Sequence, residues 1–88
     1  MAMDVTASLK ERVLAEVLVK ARGVIGQELA ADADPIASGF DSIASLQLAA
    51  ALEEELGLVC TLEDVFDALS FSALADVLTQ RIDSASDQ

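Results

Sequence analysis

The chain has 88 residues, 53% of them hydrophobic, and a net charge of −11. A chain of this length is one small domain that buries roughly 60–65% of the surface its unfolded form exposes, and a mean hydropathy of +0.47 sets it apart from disordered chains. The only basic residues are Lys10, Arg12, Lys20, Arg22 and Arg81, so the stretch from Gly23 to Gln80 carries no cation, which disfavours nucleic acid and anionic membrane as partners and favours basic protein surfaces.

With three Phe and no Trp or Tyr, the apolar content is mostly Ala and Leu. That composition favours packed helices over a sheet. Asp4 interrupts the basic-then-apolar run that an export signal needs. A first helix is predicted from Thr6 to about Arg22, started by a Ser8–Glu11 capping box or by Thr6. Its stripe is Val13, Leu14, Val17, Leu18 and Ala21. Glu16 and Lys20 are spaced to pair across one turn, and Gly23 is the predicted stop.

Residues 23–40 read as a long connection broken by Gly26, Pro35 and Gly39. Leu29, Ile36 and Phe40 are its predicted anchors to the core. Asp32 and Asp34 alternate as in a calcium loop. However, Ile36, Ala37 and Ile43 occupy positions that need a ligand, a glycine and a glutamate, so these acids read as solvated.

The second helix is predicted from Asp41 or Ser42 to Leu56, with Asp41 as N-cap and Gly57 as stop. Leu48, Leu52 and Leu56 line one face, with Ser45 and Ala49 beside them. The opposite face carries Ile43, Leu46, Gln47, Ala50, Glu53 and Glu54. A helix apolar on two sides is either deeply buried or offers a second contact surface, and Glu53–Glu54–Glu55 argue against full burial.

Cys60 reads as a small buried apolar residue. As a lone cysteine it forms no internal disulfide and suits a reducing cytoplasm. A short third helix follows in "TLEDVFDAL", capped by Thr61 with Asp64 closing the box, and Val65, Phe66 and Leu69 are its predicted apolar contacts. Ser70 caps a last helix to about Ile82, with Phe71, Leu74, Leu78 and Ile82 on one face. The expected fold is all-α, a small four-helix bundle of three main helices and one short one. We expect a single domain over 1–88 with ends frayed at about 1–5 and 83–88. The longest apolar stretches fall short of the roughly 20 residues that span a bilayer.

Ser42 sits at the start of the second helix with no means of activation. A nucleophilic serine needs an adjacent base, His or sometimes Lys. The chain has no His, and no Lys after Lys20. "GFDSI" also departs from the Gly-x-Ser-x-Gly elbow of hydrolases. Ser42 is better placed to be modified: the N–H groups and positive dipole end of a helix N-terminus favour a phosphate ester.

Gly39-Phe40-Asp41-Ser42-Ile43, followed by Leu46, Leu48, Leu52 and Gly57-Leu58, resembles the phosphopantetheine-attachment segment of acyl and peptidyl carrier proteins, which reads Gly-x-Asp-Ser-Leu. "TLEDVFDALSFSALADVL" is similar to that family's third and last helices, and the resemblance covers nearly the whole chain. It implies that Ser42 carries 4′-phosphopantetheine, derived from coenzyme A and attached by a phosphopantetheinyl transferase. It implies that Asp41 sits beside the transferase's substrate, and that Ile43, Leu46, Gln47, Ala50, Glu53 and Glu54 form the partner-recognition face.

The implied function is a monomeric, cytoplasmic, non-catalytic carrier. It would hold acyl intermediates as thioesters for a loading enzyme, a ketosynthase, and condensation or tailoring enzymes. The Ala-rich second helix resembles polyketide carriers. A stand-alone aminoacyl carrier of peptide assembly is the alternative within the family, and an unmodified acidic adaptor is the alternative outside it. Ile43 in place of Leu, Gln47 in place of a frequent Glu, and Ala68-Leu69-Ser70 in place of a frequent aromatic-Pro-Thr depart from the family pattern.

Overall fold

A computed structural model describes residues 5–86. It contains four helices in chain order: α1 (Val5–Ile25), α2 (Ser42–Leu56), α3 (Leu62–Asp67) and α4 (Phe71–Ser86). Among the described residues there is no strand, so the all-α expectation holds. α1 packs against both α2 and α4, and α3 packs against α2.

The core forms where the predicted stripes meet. Val13, Val17 and Ala21 come from α1, Leu48, Ala49 and Leu52 from α2, and Phe71, Leu74, Ala75 and Leu78 from α4, all buried. Leu14, Leu18, Leu56 and Ile82 are partly buried against this cluster. Cys60 is buried, as its composition suggested.

α1 is already helical at Val5, so neither Thr6 nor Ser8 flanks its start. Its end also differs from expectation. The helix passes through Gly23 and stops at Gly26, whose φ of +75° lies in the left-handed region and whose N–H donates to Arg22 O at 2.7 Å. Gly23 adopts no such φ, so nothing there breaks the helix. Lys20 reaches across to Glu55 on α2, at 3.2 Å, rather than back to Glu16. α4 continues to Ser86, past the predicted end at Ile82. The rest of the ends expected to fray, residues 1–4 and 87–88, lies outside the described residues.

The α1–α2 connection is pinned at both of its sides. Leu29 and Phe40 are buried as predicted, but Ile36 is 51% exposed and Pro35 is buried in its place. The cause is local: Asp34 Oδ1 accepts the Ile36 N–H at 2.9 Å, an Asx turn that brings Pro35 inward and Ile36 outward. The carbonyls of Ala33 and Ala31 accept the N–H groups of Phe71 and Ser72 at 3.1 and 2.8 Å. Ser70 Oγ accepts that of Ala73 at 3.0 Å. The connection and Ser70 together satisfy the first three N–H groups of α4, which no helical carbonyl can reach.

Phe40 meets Phe71 edge-to-face, with ring centroids 5.6 Å apart. Gly39 precedes it at φ +108°, and a Cβ there would lie 3.1 Å from Ile25 Cδ1. Gly39 is therefore fixed by both backbone angle and space. One polar group in the core has no partner: Ser45 Oγ is fully buried without a hydrogen bond.

Two substitutions on the inner face of α2 test this packing in opposite directions. Leu52→Ala should lower stability by roughly 2–5 kcal/mol, since it empties a fully buried site. Ser45→Ala should raise it by about 1 kcal/mol, because it removes an unsatisfied hydroxyl. Denaturant unfolding midpoints read both.

Candidate functional site

Gly39 turns the chain at positive φ, and Phe40, buried, leads into the start of α2. Asp41 is the N-cap, at φ −84° and ψ −171°, and its Oδ1 accepts the Ala44 N–H at 2.8 Å. Its own carbonyl accepts the Ser45 N–H at 2.8 Å and opens the helical ladder. The N–H groups of Ser42 and Ile43 remain beyond the reach of any helical carbonyl. Ser42 is the first helical residue and is exposed. The site thus offers an accessible hydroxyl, two outward-facing N–H donors and the positive end of a 15-residue helix.

Ile43 and Leu46 are 70% and 57% exposed, and Gln47, Ala50 and Glu54 share that exposure. The outer face of α2 is a surface as the pattern predicted. Glu53 is exposed too, and its Oε2 accepts the Cys60 N–H of the next connection at 2.9 Å. That bond braces the turn after α2, and both acids remain exposed.

α3 begins with a complete capping box. Thr61 Oγ1 accepts the Asp64 N–H at 3.1 Å, and Asp64 Oδ2 accepts the Thr61 N–H at 2.8 Å. Val65 is buried as predicted, but Phe66 and Leu69 are 38% and 82% exposed. Val65 is the one residue of the six in α3 that is buried. Leu69 follows Ala68, whose extended ψ of 133° swings the chain outward. Both therefore differ from the apolar contacts predicted for them. Leu69 lies two residues before Phe71, which packs on Phe40, so it stands at the Ser42 end of the molecule.

Two titrating groups lie behind this surface. Arg81 forms a two-pronged pair with Asp64, at 2.6 and 2.9 Å. That hydrogen bonding, assisted by Thr61, holds the Asp64 carboxyl down at about 2. Burial, reinforced by the Asp64 charge, pushes the Cys60 thiol up to about 11. A groove of about 350 Å³ lies toward the other end of α2, lined by Leu9, Val13, Leu56 and Ile82 among others. It shares no residue with the Ser42 end.

The arrangement can accept a covalent group at Ser42 and present it beside an apolar surface. The sequence model of the family described as phosphopantetheine attachment site matches residues 12–78, well over half of the chain. No curated protein and no solved structure matches the chain at a significant level.

Because Asp41 holds the cap, Asp41→Ala should cost about 1 kcal/mol, whereas Ser42→Ala should leave helicity and melting temperature essentially unchanged. Circular dichroism melts separate the two. The Asp64 carboxyl is lowered from 3.8 in the unfolded chain to about 2 when folded. Its stabilisation is therefore complete above pH 3.8 and is lost as pH falls through about 2. In Arg81→Met, stability measured across this window should depend less steeply on pH.

Proposed function

The chain belongs to the phosphopantetheine attachment family, and from that membership we propose that it is a carrier protein in which Ser42 bears the arm. The family's cofactor is 4′-phosphopantetheine, held covalently. When bound, it supplies a terminal thiol that holds cargo as a thioester. Carrier domains of this family are in general non-catalytic, and they work with a phosphopantetheinyl transferase and with acyl-handling enzymes.

The residues at the start of α2 fit this group. The observation that carries the assignment is Ser42 itself: an exposed hydroxyl on the first residue of α2, inside the matched region. The Ser42 and Ile43 N–H groups and the helix dipole favour a phosphodiester at that oxygen. Asp41 keeps the helix start rigid while the hydroxyl points to solvent. In this reading the base that takes the Ser42 proton belongs to the transferase.

Enzymes that load or use the cargo dock on the outer face of α2 in this reading. Ile43, Leu46 and Ala50 supply apolar contact. Gln47 and Glu54 border it, together with the acids that give the chain its net charge of −11. The protein is a monomeric, cytoplasmic carrier without catalysis of its own. Its cargo is an acyl intermediate of a polyketide or related specialised pathway. The Ala-rich α2 and the absence of a His before Ser42 support that choice over an aminoacyl cargo.

Incubation with coenzyme A and a broad-specificity transferase should add a single 4′-phosphopantetheine to the intact mass. Ser42→Ala should take none. An adduct on Ser42→Ala, or none on the wild-type chain, refutes the assignment. In the docking surface, Glu54→Lys should slow association with a loading enzyme and flatten its salt dependence, because rim charges act on association. Leu46→Ala should shorten the lifetime of the complex and leave the salt dependence alone. Stopped-flow kinetics at two ionic strengths distinguish them. Glu53→Lys should in addition loosen the turn at Cys60.

A further inference from the structure

The stretch from Asp34 to Phe40 forms a turn with its own start and stop just before Ser42. Asp34 Oδ1 accepts the Ile36 N–H at 2.9 Å, with the Ala37 N–H at 3.5 Å behind it. Pro35 follows this capping residue, at a position where a missing N–H costs nothing. The Ser38 N–H donates to Asp34 O at 2.9 Å and closes one helical turn. At the far end the Phe40 N–H donates to Pro35 O and the Gly39 N–H to Ile36 O, both at 3.0 Å. With Gly39 at φ +108°, these two bonds form a Schellman ending.

The turn sets the path on which the chain enters α2. Pro35 and Phe40, joined by the longer of those two loops, are both buried. Gly39 lies against α1, since an added Cβ would come within 3.1 Å of Ile25 Cδ1. Gln27 Nε2 donates to the Ser38 carbonyl at 3.3 Å. Between Gly39 and Ser42 stand only Phe40 and Asp41. A single turn is too short to be stable alone, and its leading N–H groups are met by the Asp34 carboxylate. Without that acceptor the turn opens from its N-terminal side.

We propose that Asp34 is a positioning residue for the modification of Ser42. By capping this turn it holds the segment before α2 in one path, so that the transferase meets that segment already ordered and does not order it on docking. The kinetic half rests on the carrier reading above; the capped turn does not.

The turn is tested on the unmodified chain by residue-level amide hydrogen exchange. In Asp34→Ala, the Ser38, Gly39 and Phe40 amides should exchange about fivefold faster, the equivalent of one lost cap. Their acceptors are backbone carbonyls, so the change reports opening of the turn and not the missing carboxylate itself. Amides from Val13 to Ala21 should be unchanged, as for local opening of one unit. Asp34→Asn keeps an oxygen that can cap and should exchange like the wild type. Unchanged exchange in Asp34→Ala, or a uniform rise across all helices, would overturn the capped turn.

Steady-state kinetics with coenzyme A and a phosphopantetheinyl transferase read the positioning. In Asp34→Ala, KM for the chain should rise severalfold while kcat holds, because the open turn must be ordered on docking and Ser42 with its Asp41 cap is intact once docked. Asp34→Asn should restore KM. It lacks the charge as fully as the alanine variant does, so a KM as high as that of Asp34→Ala would assign the effect to lost charge and overturn the proposal. An unchanged KM in Asp34→Ala would overturn it as well. Absence of any adduct on the wild-type chain would overturn the carrier reading and this half with it, while the exchange data would still decide the turn.

Discussion

The edge-to-face contact between Phe40 and Phe71 ties the Ser42 end of the molecule together. One ring closes the α1–α2 connection and the other opens α4. Between them they bring an otherwise irregular segment against a helix, and that segment's carbonyls then complete the first turn of α4. Such a pair contributes about 0.5–1.5 kcal/mol beyond the area it buries, which matters in a domain with so small a core. The position of Asp41 and Ser42 follows from it, because only one residue separates Phe40 from Ser42.

The charges divide between two tasks. Lys10 pairs with Asp76 at 2.7 Å, Lys20 with Glu55 at 3.2 Å, Arg22 with Glu28 at 3.3 Å and Arg81 with Asp64. Of these, the Lys10, Lys20 and Arg81 pairs join separate helices, so the few cations act as ties within the bundle. The acids outnumber them, sixteen to five, and the surplus faces outward. An incoming basic surface meets a field that is set by acids, with most cations already engaged.

The elements whose sequence carried a local reason were legible before the structure. Asp41 and Gly57 bounded α2 because a cap acceptor and a left-handed glycine act within one turn. Thr61 and Asp64 marked α3 for the same reason. What escaped depended on distant partners or on element length. Gly23 offered a stop that the chain did not need, since the turn comes at Gly26. Lys20 had an acceptable neighbour in Glu16 and a better one on α2. Glu53 looked like one of three equivalent acids until the next connection folded onto it. Phe66 and Leu69 are expected as apolar contacts of the third helix, whereas both are exposed and Val65 is the buried residue of α3. At the candidate site, the exposed serine and its cap were readable.

The burial of Cys60 has a consequence for chemical fidelity. A chain that carries an activated acyl group on a sulfur must not capture that group on a sulfur of its own. Transfer between sulfurs requires a thiolate as attacker. With its thiol pushed up to about 11, chiefly by burial, Cys60 is scarcely ionised at neutral pH. It is also 3% exposed, so an approaching acyl group finds almost no surface to reach. Burial thus makes Cys60 a poor acceptor for a thioester held elsewhere on the protein.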